Sequence, residues 1–242
     1  MSKSTVSIFM ALLMITSALF GLVLAGKSAD SIEMEEITPD ENIEKIEMPR
    51  STYQHFTKNL GQWDSGFDYV GKWDLGSVGM DRDGVYFNIV KEVVDQEDER
   101  EAPVMIGHVL KLSFDDSNHL IPEGQAEIGA KYNYLIGEES DWVTHVPNFN
   151  EVVYSDVWDG IDLKYRYSNE GLKYDFILSP SSDPSDILVT VSGQGSIDIT
   201  EGSLLIDVDG EVQVFDSNLE AFYLDDPSEK IDVRFSLVDS DT

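Results

Sequence analysis

From about Tyr53 onward the apolar residues recur at every second position. Leu110, Leu112 and Phe114 alternate with Lys111 and Ser113, Ile187, Val189 and Val191 with Leu188 and Thr190, and Ile231, Val233, Phe235 and Leu237 with Asp232, Arg234 and Ser236. A side-chain period of two is the mark of a strand with one face buried. Similar runs occupy residues 67–73, 85–90, 132–136, 151–154, 161–167, 172–179, 197–199, 204–208, 211–214 and 219–224. Gly, Asn, Asp or Pro punctuates them at short intervals, and no segment of helical length sustains a 3.6-residue period. The pattern predicts an all-β fold: an antiparallel β-sandwich, or two small sheets side by side.

One hairpin is legible down to its register. Ile161, Leu163, Tyr165 and Tyr167 share one face of a strand, and Leu172, Tyr174, Phe176 and Leu178 share one face of the next. A turn at residues 169–170 makes those faces coincide, with Leu163 opposite Phe176, Tyr165 opposite Tyr174 and Tyr167 opposite Leu172. The same register sets Lys164 across from Asp175 on the other face, an opposite-charge cross-strand pair. A slip of one residue would set apolar faces against polar ones, so this pairing is specified strongly.

Ahead of Tyr53 the pattern is different. Residues 1–25 carry a single charge, Lys3, then a nearly unbroken apolar run from Ile8 to Leu24 and small residues at Ala25 and Gly26. This reads as a signal helix, either a leader cut at Ala25 or an N-terminal membrane anchor, since the run approaches the roughly 20 residues that span a bilayer. Both readings put everything after Gly26 outside the cytoplasm, secreted or at the cell surface. Residues 26–52 hold eight acids, three bases, two prolines and no aromatic residue. Such a stretch buries little and reads as an acidic flexible spacer, with a short acidic helix over 41–48 as the other reading. The domain organisation expected is thus leader 1–25, spacer 26–52 and an all-β extracellular domain over 53–242.

Charge sharpens the picture. The 242 residues hold 47 Asp and Glu against 16 Lys and Arg, a net charge of -31. Taking away the leader's one base and the spacer's three bases and eight acids leaves 12 bases and 39 acids, so the domain alone carries -27. Its surface repels phosphate backbones and anionic headgroups, which excludes nucleic-acid partners. Acidity spread over a folded surface fits a salt-rich or cation-rich exterior that screens self-repulsion. There is no cysteine, hence no disulfide framework, thiolate metal site or cysteine nucleophile, and no Asn-x-Ser/Thr sequon.

The acids supply the candidate chemistry. Asp81-Arg82-Asp83-Gly84 and Asp207-Val208-Asp209-Gly210 have the alternate carboxylates and turn glycine of a calcium loop, and Asp156, Asp159 and Asp162 gather around Gly160. Neither Asp-x-Asp-Gly sequence continues into further ligands, and Asp-Gly between alternating strands equally marks a hairpin turn. Three neighbouring carboxylates need a cation or backbone N–H groups to offset their repulsion. Calcium is the one cofactor this set suggests. The acidic run over 92–101 reads as a loop between strands. His55, His108, His119 and His145 lack metal-ligand spacing. The serine-elbow, zincin and phosphate-loop motifs are all missing, so no catalytic residue is assigned. Trp63, Trp73, Trp142 and Trp158 are either a carbohydrate-stacking platform or, for at least half of them, sandwich core.

Several segments occur in a telling order: Phe56-x-x-Asn59-Leu60-Gly61-Gln62, Tyr132-Asn133-Tyr134-Leu135-Ile136-Gly137, Trp142-Val143-Thr144-His145-Val146-Pro147, residues 153–163 from Val153 through Trp158-Asp159-Gly160 to Leu163, and Leu172-Lys173-Tyr174-Asp175-Phe176, with Asp183-Pro184-x-x-Ile187 after them. Together they resemble the N-terminal domain of unknown function found ahead of SBBP (β-propeller-type) repeats in large exported archaeal and bacterial proteins. The resemblance covers residues 53–238. It departs at Ser179-Pro180-Ser181-Ser182, where that family usually has a Pro-Gly step, and at Thr242, where its members continue into further strands and repeats. The sequence is accordingly a stand-alone version or a fragment followed by repeats.

The resemblance implies an accessory module with no catalytic residue to carry over. Three readings follow: a non-enzymatic secreted or surface β-domain that binds a carbohydrate or a surface protein, a structural segment of a larger surface protein, or an exported carbohydrate-active enzyme working with a carboxylate pair. A cleft holding two carboxylates about 5 to 10 Å apart, one with a strongly raised pKa, would mark the enzyme.

Overall fold

In the computed structural model the residues described are 13–24, 54–64, 66–73, 76–93, 104–168, 171–208, 210 and 212–238. Fifteen strands run through them: β1 (Leu13–Leu24), β2 (Phe56–Lys58), β3 (Tyr69–Trp73), β4 (Gly76–Asp81), β5 (Gly84–Val93), β6 (Val104–Phe114), β7 (Pro122–Tyr134), β8 (Val143–Trp158), β9 (Ile161–Ser168), β10 (Gly171–Leu178), β11 (Val189–Ser192), β12 (Ser196–Thr200), β13 (Ser203–Asp207), β14 (Val212–Tyr223) and β15 (Lys230–Ile231). Two single 3-10 turns, Glu139–Asp141 and Pro184–Asp186, interrupt them. The all-β expectation holds. The spacer over 26–52 lies outside the described residues.

Hydrogen-bonded neighbours follow one path, β11-β6-β5-β4-β3-β2-β8-β9-β10-β1-β14-β13-β12, with β7 added on β8 and β15 on β14. Every ladder is antiparallel, and the path curls into two sheets whose apolar faces share a core. Phe87 and Leu110 from the first half and Tyr165, Ile206 and Val214 from the second line one internal cavity. The core is built from the alternation seen in the sequence: Ile161, Leu163 and Tyr165 on β9 and Leu172, Phe176 and Leu178 on β10 are all buried.

The β9–β10 register is the one derived above, with Leu163 opposite Phe176, Tyr165 opposite Tyr174 and Lys164 opposite Asp175. The ion pair is the refinement. Asp175 is fully buried and binds not Lys164 but the diagonal Arg166, whose Nε and Nη2 both donate to its carboxylate. Lys164 turns instead to Glu151 on β8, at 3.8 Å.

Three of the differences from the sequence reading have a plain physical reason. The apolar run read as a signal helix is extended over Leu13–Leu24 and lies between β10 and β14, antiparallel to both. A run of apolar residues without period suits either backbone, and here two sheet edges supply the hydrogen-bond partners that a helix would find within itself. No helix among the described residues is long and apolar enough to cross a membrane.

The strands expected over 211–214 and 219–224 are one strand, β14. A buried Asp216 and a left-handed Asn218 (φ 59°) break the apolar alternation at its middle. Of the strand expected over 231–237, only Ile231 joins the ladder. Residues 232–237 keep the alternation, with Val233 and Phe235 half-buried between exposed neighbours, but lie without strand pairing beside the internal cavity.

Candidate functional site

The cavity, open to solvent on the side of the exposed Pro184, Ser185, Arg234 and Val238, has a volume of about 560 Å³ and a lining that is mostly Leu, Ile, Val, Phe and Tyr. Its carboxylate, alone among the described lining residues, is Asp216 on β14. Val212, Val214 and Asp216 point the same way on alternate positions of the strand, so the acid is carried into the core by the parity that buries the two valines. Tyr174 on β10 donates its hydroxyl to Asp216 Oδ2 at 2.6 Å.

Burial pushes the Asp216 carboxyl up to about 7, with the Tyr174 hydrogen bond pulling the other way. Tyr165, also buried in the cavity wall, is held far above its ordinary value by burial and by the charge on Asp216. A mostly apolar cavity with a few convergent polar groups and one perturbed acid is the usual form of a binding site. No sequence motif contains Asp216. Its only signal in the sequence is an acid at an inward-facing position of a strand.

The acids singled out from the sequence lie elsewhere, at turns. Asp81 ends β4 and Gly84 opens β5, so Arg82 and Asp83 form a two-residue hairpin turn. The Asp81 carboxylate accepts the Asp83 N–H at 2.7 Å. Burial raises the pKa of Asp81, and that hydrogen bond acts against the rise. The turn is tied to the core by Tyr154, which donates to the carbonyls of Asp81 and Gly84 at 3.1 and 3.2 Å. Gly84 sits at φ 138°, where a Cβ would come within 2.1 Å of the Leu112 carbonyl oxygen.

Asp156, Asp159 and Asp162 surround the β8–β9 turn. Asp156 is left-handed (φ 53°) in a bulge, its N–H donates to Asp162 Oδ1 at 2.7 Å, and its own Oδ1 accepts from Gly160 N at 2.7 Å. Asp159 accepts from Asn118 Nδ2 at 3.3 Å. N–H groups therefore do the neutralising that the cluster needs. Asp207 accepts from Gly210 N, and Asp209 lies outside the described residues. Among the described residues no three His, Asp or Glu side chains converge as a metal site would require.

With the carboxylates engaged in turns, millimolar calcium or a chelator is expected to shift the melting temperature by no more than about 1 °C. A rise of several degrees with calcium, reversed by chelator, would establish a metal site.

A second, shallower groove collects Asp115, Asp116, Asp159 and Asp186 beside Trp158. Its acids are largely exposed or held locally, Asp115 by the Thr190 hydroxyl at 2.6 Å. The tryptophans form no single platform. Trp158 is buried against Phe114 and Phe176, with its Nε1 donating to the Asp115 carbonyl at 2.8 Å. Trp63 meets Tyr134, which pairs with Val143 at the opposite end of the sixteen-residue β8 from Trp158. Trp142 is exposed, and the Trp73 side chain lies outside the described residues.

The polar residues of the shared segments have local structural partners. Asn59 donates from Nδ2 to the carbonyls of Trp63 and Phe67 and accepts from Gly61 N. Gln62 donates to the Lys58 carbonyl and accepts from Leu60 N. Asn133 accepts from His145 N, and Asp183 caps the second 3-10 turn through Ser185. His55 is buried edge-on against Tyr132, and its pKa is lowered by burial and by Lys72.

Residues 56–242 match a protein-family model described as "Domain of unknown function (DUF7948)". No curated protein and no solved structure matches the chain.

Proposed function

We propose, for a chain that belongs to the DUF7948 family of domains of unknown function, a non-enzymatic module of the cell exterior that binds an apolar group of a surface partner in the cavity between its sheets. The observation that carries this reading is the cavity itself: about 560 Å³, mostly apolar, with Asp216 the one carboxylate among its described lining residues. A glycosidase needs a second carboxylate within about 10 Å of the raised one, in a cleft that wets a sugar. The acids of the shallower groove are engaged with turns and solvent, and the polar residues of the shared segments hold loops. Export is supported by the leader-like residues 1–25 and by a domain charge of -27.

The reading is tested by titrating the full chain with an anilinonaphthalene dye. Saturable one-to-one binding at micromolar concentration is expected, and Val214→Trp, which fills the cavity, should weaken it at least tenfold while leaving the circular dichroism spectrum in place. Absence of saturable binding, or turnover of polysaccharide that Asp216→Asn abolishes, would overturn it. The N-terminus of the exported chain is expected at Gly26.

A further inference from the structure

The β10–β14 gap is where the two ends of the domain are joined by a strand that the sequence marks for removal. Along the path of the sheets, β10 is bonded to β9 on one side and β1 on the other, and β14 to β13 and β1, with β15 adding only two residues at Ala221 and Phe222. Leu13 to Ala18 pair with Leu178 to Lys173, and the same strand pairs along β14 from Tyr223 to Val212. Without β1 the facing edges of β10 and β14 lose these bonds together. An unpaired buried backbone is costly, and an open edge is a template for another strand.

We infer that the gap between β10 and β14 is a strand-acceptor slot, filled within the chain by Leu13–Leu24 before processing and by an apolar strand of a second surface polypeptide afterwards. The inference rests on the export reading in one respect, that the leader leaves. The incoming strand is specified by the slot. It runs antiparallel to both edges, is about twelve residues long and uncharged, as Leu13–Leu24 is. It is small opposite Tyr174, where Ser17 stands, because the Tyr174 hydroxyl on β10 reaches Asp216 on β14 at 2.6 Å across the slot. Two strands flanking a third stand about 9.5 Å apart, so this bond spans the occupant. The positions sharing that face are Ser17, opposite Tyr174, and Leu19, opposite Asp216, while Ala18 falls at the alternate position, paired with Lys173 and Ser217. Both bridging residues also line the apolar cavity, so slot and cavity are contiguous. Adding a strand in trans takes affinity from main-chain hydrogen bonds and specificity from alternate positions.

The chain has no cysteine, which makes the placement directly testable. In the full chain, Ala18→Cys with Lys173→Cys is expected to form a disulfide on mild oxidation without loss of melting temperature, while Ala18→Cys with Glu123→Cys on β7 stays reduced. A folded chain in which the first pair also stays reduced overturns the slot. For exchange, a protease site is placed in the spacer of the full chain and cut after folding, and a labelled peptide of residues 13–24 with terminal lysines is added. The peptide is expected to co-elute with the domain, and its Ser17→Trp version to bind at least tenfold more weakly. No uptake of the matched peptide, or equal uptake of the Ser17→Trp version, overturns the trans acceptor. Mass analysis of the exported chain is read separately: residues 1–25 still attached would sink the leader reading and leave the disulfide result standing.

Discussion

Replacing Arg166 by methionine is expected to cost the domain about 3 kcal/mol, read as a drop in the urea midpoint at unchanged slope. Asp175 is fully buried, and the two N–H groups of Arg166 are the partners its carboxylate finds. Removing the cation leaves a desolvated anion on β10, a loss that typically runs to about 3 to 5 kcal/mol. Arg166 retains 30% exposure, so some water reaches the vacancy and the lower end applies. The hydrogen bond to Asp175 raises the guanidinium pKa further, so Arg166 stays charged at any working pH. The double variant Arg166→Met with Asp175→Leu removes both charges and should return to within about 1 kcal/mol of the parent. Lys230 and Glu220, both more than half exposed, are the contrast: Lys230→Ala should cost less than about 1 kcal/mol. A loss at Arg166 no larger than that at Lys230 would show that the pair is not desolvated.

That pair also shows where reading a sequence stops. The register of β9 and β10 was legible because eight inward positions alternate without a break, and a slip would have exposed them all. The ion pair was not, because a long forked side chain reaches the diagonal position as easily as the direct one. β7 was seen only at its end. It is bonded to β8 alone, and most of its side chains are exposed, so apolar alternation had no burial to record. β14 was divided in two because the residue that makes the site, Asp216, is the one that breaks the pattern. Turn acids were the reverse case: Asp81, Asp156 and Asp162 stood out by spacing, and the structure engages them with backbone N–H groups. A cluster of carboxylates is easy to see in sequence, whereas one acid carried inside by strand parity looks like any other acid.

Asp216 should make the domain less stable as pH rises from about 5 to 8. Its folded-state pKa, about 7, lies above the ordinary 3.8, so the folded protein keeps a proton that the unfolded chain has released. Stability from this group is complete below about 4 and is lost as pH climbs through 7. Between pH 5 and 8 the loss is roughly two units' worth, on the order of 3 kcal/mol. The other residue moving in this window, His55, acts in the opposite direction, because its lowered pKa makes the folded state shed a proton first and gain stability with pH. Asp216→Asn separates the two. Asparagine still accepts the Tyr174 hydroxyl and carries no charge, so the variant's stability relative to the parent should grow by about 3 kcal/mol between pH 5 and pH 8. Urea unfolding of both proteins across this range gives the difference curve directly. A rise already under way at pH 5 that levels off near 7 identifies the buried acid of the cavity. A difference that is flat with pH would mean that Asp216 is ionised in the fold, its charge met by water or a cation, and would remove the apolar character on which the binding reading depends.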